Sequence, residues 1–195
     1  MNHIENLSKR FPALSATVGD IEAVVEIICR MHRERGKLLL CGNGGSAADC
    51  EHISGELLKG FLLRRENEGE VASCLQRGVA AIPLPSFSAS LSAFANDVEP
   101  SFIYAQLVYA LGRQGDVWMG LSTSGNSKNV VEAARVARSM GLVTVGLTGE
   151  SGGELGSLCD VTVRVPASET YLVQEYHLPV YHAICAEVEQ RLFGN

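Results

Sequence analysis

The sequence predicts an α/β protein built as a three-layer α/β/α sandwich, with a mainly parallel five-stranded sheet between helices. Two observations support this prediction. Five short apolar runs alternate with stretches whose apolar residues recur at helical spacing. In addition, two loops rich in glycine and hydroxyl residues each follow an apolar run and precede a helical stretch, as ligand-binding loops do in parallel sheets.

The elements follow in order along a single predicted domain, residues 1–195. Residues 1–36 are predicted to be extra N-terminal helices, one broken near Pro12 and one that ends at Gly36, packed on the core and on partner subunits. The predicted strands are KLLLC, AAIPLP, DVWMGLS, LVTVGLTG and VTVRVP. The predicted helices are SAADCEHISGELLKGF with Ser46 as its N-cap, SASLSAFAND, FIYAQLVYALGRQG, SKNVVEAARVARSMG and a long amphipathic final helix, YLVQEYHLPVYHAICAEVEQRLF, with a kink at Pro179. The polar stretch RRENEGEVASCLQRG is predicted to be a loop.

Composition narrows the class of function. Hydrophobic residues make up 46% of the chain and charged residues 19%, an ordinary globular balance. The net charge of −6 argues against a non-specific nucleic-acid binder, whose surface is basic. It leaves a small anionic ligand open, because backbone N–H groups bind anions without net positive charge.

The sequence predicts a cytoplasmic protein. Its first residues lack the apolar core of a signal peptide, and no window reaches the roughly 18 apolar residues of a membrane helix. The six cysteines are scattered without a CxxC pair, so we expect reduced and mostly buried thiols.

The loop STSGNSKN is typical of a phosphate site. It offers the hydroxyl groups of Ser122, Thr123, Ser124 and Ser127 at the start of a helix, where free backbone N–H groups and the helix dipole favour an anion. A simple helix cap is the alternative, but one hydroxyl would suffice for it.

The loop GNGGS, with Asn43, Gly44, Gly45 and Ser46, favours close approach of a small polar ligand to the backbone. A dinucleotide site is not indicated, because Ala47 stands where the fingerprint needs its third glycine. No G-K-[ST] follows either, so we expect no nucleotide cofactor.

Two helices offer groups for proton transfer. His52 and Glu56 are four residues apart, which places them on one face of the helix after GNGGS. Gln174 and His182 lie a little over two turns apart on the final helix. An exposed structural pair worth about 0.2–0.5 kcal/mol is the alternative for His52 and Glu56, and His177 has no assigned role.

GNGGSAAD together with STSGNS resembles the sugar isomerase (SIS) domain over nearly the whole chain, including the closing QEYHLPVYH helix. Within that superfamily the chain most resembles the phosphoheptose isomerases. The resemblance implies isomerisation of sedoheptulose 7-phosphate to D-glycero-D-manno-heptose 7-phosphate through an enediol, for ADP- or GDP-heptose and surface glycans. It implies a phosphate loop at STSGNS, a sugar-contacting loop at Asn43 and Ser46, Glu56 as the catalytic base and His182 as the catalytic acid.

The same resemblance implies further site residues and partners. Several family members bind one zinc ion per subunit at the positions of His52, Glu56, Gln174 and His182, and Asp97 matches an acidic residue that orients the substrate. We also expect a homotetramer with sites at the subunit interfaces, and neither nucleic-acid nor membrane binding.

Two departures from the family leave alternatives open. Lys59 and Gly60 stand where the family often has Gly-Arg, and Tyr171 stands where it often has Asp. These differences keep an isomerase for another phosphosugar open. A second alternative is a non-catalytic SIS-domain protein that binds the DnaA replication initiator, although Glu56 and His182 argue for an enzyme.

Overall fold

A five-stranded sheet forms the centre of the chain in the computed structural model, which describes residues 2–66 and 74–194. All neighbouring strands are parallel, and their order is β2-β1-β3-β4-β5. The predicted fold class is therefore confirmed. The strands are β1 (Leu38–Gly42), β2 (Ala81–Pro83), β3 (Val117–Ser122), β4 (Val143–Thr148) and β5 (Val161–Arg164).

Helices cover both faces of the sheet. They are α1 (His3–Arg10), α2 (Val18–Arg33), α3 (Gly45–Leu58), α4 (Ser88–Asp97), α5 (Ile103–Leu111), α6 (Lys128–Ser139), α7 (Leu155–Leu158) and α8 (Thr170–Phe193). Short 3-10 helices lie at Pro12–Thr17, Leu84–Ser86 and Pro100–Phe102. The break near Pro12 is thus confirmed, and α7 is an element that the sequence pattern did not predict.

Alternation along β1 divides the core into two layers. Leu38 and Leu40 point into a cluster with α1, α2, α3 and α8, whereas Leu39 and Cys41 point into a cluster with α5 and α6. Both faces are buried, which explains why this strand appears as a continuous apolar run. The sheet order reverses at β1 and β3, and ligands of doubly wound sheets bind at such a point, beyond the strand carboxyl ends.

The predicted N-cap of α3 was wrong. The helix begins one residue earlier, at Gly45, and Gly44 is its N-cap. Gly44 has φ of 56° and ψ of −121°, a conformation that a residue with a side chain rarely adopts. Its carbonyl accepts the N–H groups of Ala47 and Ala48, which leaves the buried Ser46 inside the first turn.

The prediction that α8 is amphipathic was also wrong. Residues 183–189 are buried without interruption, so this half of the helix has no solvent face. The reason is that α1, α2 and α3 all pack on α8. A surface helix buries a single stripe, whereas this one is enclosed from several sides. The helix continues through Pro179, and the kink there stays a prediction.

Other expectations have mixed outcomes. The second strand is shorter than predicted because the chain turns into a 3-10 helix at Leu84. All six cysteines are free, as expected, and four of them are buried. Of the predicted polar loop, residues 64–66 and 74–78 lie outside regular elements, and residues 67–73 are outside the described chain. No helix in the described ranges has the length and apolar character of a membrane span.

Candidate functional site

The loops that follow β1 and β3 meet at the carboxyl edge of the sheet. The side chains of Asn43 and Asn129 exchange two hydrogen bonds, of 2.8 and 2.9 Å, between the GNGGS loop and the first turn of α6. The convergence expected from the topology is therefore present. Asn129 was not predicted as a site residue, although it lies only two residues beyond Ser127 in the same motif.

The hydroxyl groups of Ser122, Ser124 and Ser127 make hydrogen bonds within the STSGNS loop, and none of these bonds caps α6. The Ser122 hydroxyl donates to Ser127 Oγ at 3.0 Å, and the N–H of Asn126 donates to Ser124 Oγ at 3.1 Å. Ser127 is the N-cap of α6 but makes no side-chain cap bond. The first N–H groups of α6 have no partner within the helix, so this loop presents donors to an anion.

A second layer of backbone contacts fixes this turn. Gly125 has φ of 68°, and a Cβ there would lie 2.0 Å from the carbonyl oxygen of Gly152. The N–H of Gly149 donates to the carbonyl of Thr123 at 3.0 Å. The loop after β4 thus supports the loop after β3, and Gly125 is required by both its conformation and its close neighbours.

The GNGGS loop lies against Gln174 of α8. A Cβ at Gly45 would lie 2.1 Å from Gln174 Nε2, so the glycine makes room for this amide. Gln174 Nε2 also donates to Asp49 Oδ2 at 3.3 Å. The two predicted sites on α3 and α8 are therefore adjacent, but the amide faces Asp49 and Gly45.

Three of the four predicted catalytic or metal-binding groups meet directly. His52 Nε2 lies 3.3 Å from Glu56 Oε1 and 3.3 Å from His182 Nε2. The carboxyl of Glu56 is mostly buried, with 16% of its side chain exposed, whereas His52 is 42% exposed. Partial burial lowers the pKa of His182, and His52 lowers it further against the opposing effect of Glu56. The three side chains therefore share one partly open site.

Tyr181 and Asp49 complete this cluster and were not predicted. The Tyr181 hydroxyl donates to Asp49 Oδ1 at 3.2 Å and lies 3.1 Å from His52 Nδ1. Because a hydroxyl carries one proton, His52 Nδ1–H is the donor in the second contact. His52 then presents the Nε2 lone pair to Glu56 and His182. A signal existed in the sequence: Tyr181 is two turns beyond Gln174, and Asp49 is one turn before His52.

The pKa values of Asp49 and Tyr181 are shifted by burial and by the contacts between them. Burial raises the pKa of Asp49, although hydrogen bonds from Tyr181 and Gln174 and the nearby His52 oppose this. Burial also raises the pKa of Tyr181, and Asp49 adds to the effect. The phenol therefore remains a proton donor that holds His52 in one tautomer.

Two distances between possible ligand atoms of His52, Glu56 and His182 are compatible with a bound zinc ion. Ligands at about 2.0–2.1 Å from a tetrahedral zinc are about 3.3 Å apart, which matches the spacings from His52 Nε2 to Glu56 and to His182. In the described ranges, however, no group of three or more His, Cys, Asp or Glu side chains is already arranged around a metal position. Gln174 would have to turn away from Asp49 to become the fourth ligand.

Two cavities flank the cluster. One of about 310 Å³ is lined by Asp49, Tyr171, Gln174, Glu175 and Leu178. The other, of about 270 Å³, lies between α1, the chain after α3 and α8, and its lining includes His182, Arg10 and Phe61. Tyr171, at a position where the sequence departs from the family, therefore lines a wall next to Gln174.

The structure does not bring every predicted residue into contact. Asp97 ends α4 and accepts a hydrogen bond from Asn96 at 2.8 Å. Within the described ranges, no hydrogen bond or ion pair joins it to the other predicted site residues. Lys59, at the other departure, lies beside the expected base, with Nζ 3.4 Å from Glu56 Oε2.

The comparisons with known proteins identify the family of the chain. The SIS domain family model matches residues 2–149. A phosphoheptose isomerase of Synechocystis sp. is 39% identical over 192 residues, 98% of this chain and 92% of that protein. One of Roseiflexus sp. is 44% identical over 173 residues, 89% of this chain and 82% of that protein. The solved structure of a Neisseria gonorrhoeae phosphoheptose isomerase superposes with a TM-score of 0.81 at 32% identity, over 96% of this chain and 93% of that one. The chain therefore belongs to the SIS-domain phosphoheptose isomerase family, a family of aldose–ketose isomerases.

Proposed function

We propose that this chain interconverts sedoheptulose 7-phosphate and D-glycero-D-manno-heptose 7-phosphate through an enediol. The main support is that Glu56 and His182 both lie against His52, on helices whose neighbouring GNGGS loop contacts Gln174 and, through Asn43, the helix that follows the hydroxyl loop. A phosphate on that loop directs the carbonyl end of the sugar towards these two groups. Positioning and proton transfer are then supplied by the same site.

In the proposed reaction the Glu56 carboxylate removes the proton from C1 of the ketose. His182 donates a proton to C2 across the enediol while the O1 hydroxyl proton passes to O2, so that the carbonyl moves to C1. The proton on Glu56 then returns to His182 by way of solvent, which restores both groups. Burial and the nearby His52 lower the pKa of His182, which makes its protonated form a stronger acid. Gln174, held against Gly45, is a donor to the sugar hydroxyls, and Asp97 is the remaining proposed orienting residue.

Turnover of sedoheptulose 7-phosphate by Glu56→Gln and His182→Gln tests these roles. Each variant is expected to lose about 10²–10⁴-fold in kcat, the usual contribution of a positioned acid or base. Glu51→Gln is a matched control, because Glu51 is an exposed carboxylate on the same helix that bonds to Ser86. Wild-type turnover in Glu56→Gln would contradict the proposal, as would an equal loss in Glu51→Gln.

The phosphate loop has its own test. Ser124→Ala removes a hydroxyl from the loop, and Gly125→Ala forces a methyl group into the neighbouring backbone. Both are expected to raise KM for the phosphosugar about tenfold or more, since hydrogen bonds to charged groups contribute about 1.5–3 kcal/mol. An unchanged KM in both variants would place the phosphate elsewhere.

We propose that one zinc ion is held by His52, Glu56 and His182, with Gln174 as the weak fourth ligand. Zinc would supply Lewis acidity towards the carbonyl and enediolate oxygens. Assays after chelation, with and without added zinc, together with metal analysis of the purified protein, test this part separately. Full activity in metal-free protein would favour acid–base catalysis by Glu56 and His182 alone.

The proposal extends to a homotetramer in the cytoplasm. Helix α4 has no buried residue in the single chain although it contains Leu91 and Phe94, and nearby Val98 and Tyr109 are 65% and 70% exposed. Such surface is commonly covered by a partner subunit. Light scattering tests the tetramer, and the six free cysteines agree with a reducing compartment.

Two alternative functions can each be tested by a separate experiment. Tyr171 and Lys59 at the site support an isomerase for another phosphosugar, and a panel of ketose and aldose phosphates would identify it. A non-catalytic DnaA-binding protein has no need for the contacts of Glu56 and His182 with His52. Capture of DnaA without turnover of any phosphosugar would reverse this order.

A further inference from the structure

A third cavity, which we call the arginine cavity, lies far from the STSGNS and GNGGS loops. It has a volume of about 510 Å³, and its lining is formed by His32, Arg33, Arg35, Arg77, Arg191 and Leu192. These residues lie at or near the C-terminal ends of α2 and α8, and α2 leads into the amino end of β1. The STSGNS and GNGGS loops lie at the opposite, carboxyl edge of the sheet. Four guanidinium groups around one cavity are unusual in a chain with a net charge of −6.

Two of these arginines are explained by structural ion pairs. Arg191 pairs with Glu22, with Glu187 at 3.1 Å and with Glu26 at 3.8 Å. Arg33 pairs with Glu26 at 3.6 Å. Both also lie in the last turn of a helix, where a positive charge complements the helix dipole. Neither residue therefore requires a ligand.

Arg35 and Arg77 are not explained in this way. Arg35 lies beyond the end of α2 and Arg77 lies outside any helix, and no carboxylate in the described ranges forms an ion pair with either. Both are exposed on the wall of the cavity. Their charges are therefore available to an anion that enters it.

The backbone of Arg35 is a second, independent observation. Gly36 N–H donates to Met31 O at 2.9 Å, and Arg35 N–H donates to His32 O at 3.0 Å, the arrangement that ends many helices. Arg35 occupies its left-handed position with φ of 61°, where glycine is preferred. It is the only residue other than glycine with a positive φ in the described chain. The chain therefore places a positive side chain at a position where glycine would adopt the left-handed conformation more easily.

Phe193 orients the guanidinium of Arg77. The Arg77 Cζ atom lies 5.1 Å from the centre of the Phe193 ring, and Arg65 Cζ lies 4.7 Å from it. Arg65 is already bound to Glu189, with 2.7 Å between Nε and Oε1. Stacking on a ring holds the guanidinium plane and leaves its edge free for bidentate contact with phosphate oxygens.

We propose that the arginine cavity binds an anion with two linked phosphate groups, such as the diphosphate of a nucleotide, at a site separate from the active site. Arg35 and Arg77, which form no ion pair with a carboxylate of residues 2–66 or 74–194, supply two charges, and Arg33 adds a shared one. The cavity is larger than a single phosphate requires and suits a small-molecule ligand. The pKa of His32 gives further support: burial lowers it, and Arg77, Arg65 and Arg33 lower it further, as expected in a positive environment.

Calorimetric titration with inorganic pyrophosphate tests the proposal on the full chain. Arg77→Gln and Arg35→Gly are each expected to weaken binding about tenfold, the loss of roughly one charge-assisted contact. Arg35→Gly also relieves the left-handed conformation, so this variant is expected to fold at least as well as the wild type. Ser124→Ala, in the loop of the candidate active site, should leave binding in the arginine cavity unchanged.

The charge-matched control is Arg135→Gln, which removes one exposed positive charge from α6, on the other face of the sheet from α2 and α8. Three results would overturn the proposal: no pyrophosphate binding, equal weakening by Arg135→Gln, or weakening by Ser124→Ala with none in the Arg35 and Arg77 variants. The last result would assign the binding to the STSGNS loop. Circular dichroism of each variant without ligand confirms that it has folded.

Discussion

The buried histidine of α8 has a measurable thermodynamic cost at low pH. His177 is fully buried, and neither ring nitrogen has a hydrogen bond of normal geometry in the described chain. Burial lowers its pKa from 6.5 to about 4, and the nearby main chain of Thr148 opposes the change without reversing it. The folded protein therefore keeps this imidazole neutral, whereas the unfolded chain protonates it below about 6.5.

The size of the effect follows from the two pKa values. Because the unfolded chain binds the extra proton, stability is complete above about pH 6.5 and falls as the pH drops towards 4. A pKa difference of this size corresponds to about 3 kcal/mol in total, of which about 2 kcal/mol is lost by pH 5. Urea unfolding of wild type and His177→Leu at pH 7.5 and pH 5 measures this contribution.

His177→Leu is expected to remove about 2 kcal/mol from the pH dependence of the unfolding free energy between these two conditions. His3→Gln serves as the control, because His3 is a partly exposed histidine on α1 and its loss should leave the dependence unchanged. An identical pH dependence in wild type and His177→Leu would refute the reasoning. It would mean that the buried ring is already protonated, or is satisfied by a group that supports its charge.

Two substitutions test other contacts. Gly45→Ala places a methyl group on the Gln174 amide, and the resulting displacement of this side chain is expected to lower kcat/KM about tenfold or more. Gly55→Ala, whose Cβ meets nothing within 4 Å, should stabilise α3 by about 1 kcal/mol without loss of activity. Equal kinetics for the two variants would contradict the contact between Gly45 and Gln174. Glu189→Gln leaves the buried charge of Arg65 without its partner and should lower the unfolding free energy by about 3–5 kcal/mol; a loss below about 1 kcal/mol, typical of a surface pair, would show that this pair is not buried in solution.

The sheet and the two loops were predictable because they depend on local pattern. A continuous apolar run predicts a buried parallel strand, and a loop that follows each of two such strands must lie at the same edge. Family resemblance then selected His52 and Glu56 from the many polar residues of the chain. The structure confirms that these two side chains are in contact, and their catalytic roles stay predictions.

Residues whose role depends on distant partners were not predictable. Asp49 and Tyr181 lie on different helices and become a network only when α3 packs on α8. Arg65 belongs to a polar stretch predicted to be a loop, yet its side chain has no exposed surface. Its partner Glu189 is 124 residues away in sequence, and no periodicity joins the two positions.

The pair of Arg65 and Glu189 also connects the fold to the expected base. The Arg65 guanidinium donates to the main-chain oxygens of Leu57 at 2.6 Å and Glu56 at 3.0 Å, so it caps the C-terminal end of α3. Glu189 accepts the N–H groups of residues 61–63 as well, which fixes the chain after α3 against α8.

Burial raises the pKa of Glu189, but the N–H donors of Phe61 and Leu62 and the charge of Arg65 outweigh this, and the pKa lies below its usual value. The carboxylate therefore stabilises the fold above the ordinary carboxyl range and loses this effect as the pH falls through its folded pKa. Glu56 owes its place beside His52 to this distant ion pair. A weakened ion pair should thus reduce kcat as well as the free energy of unfolding. The kcat of Glu189→Gln, measured under conditions below its unfolding midpoint where the variant is still folded, separates the two effects.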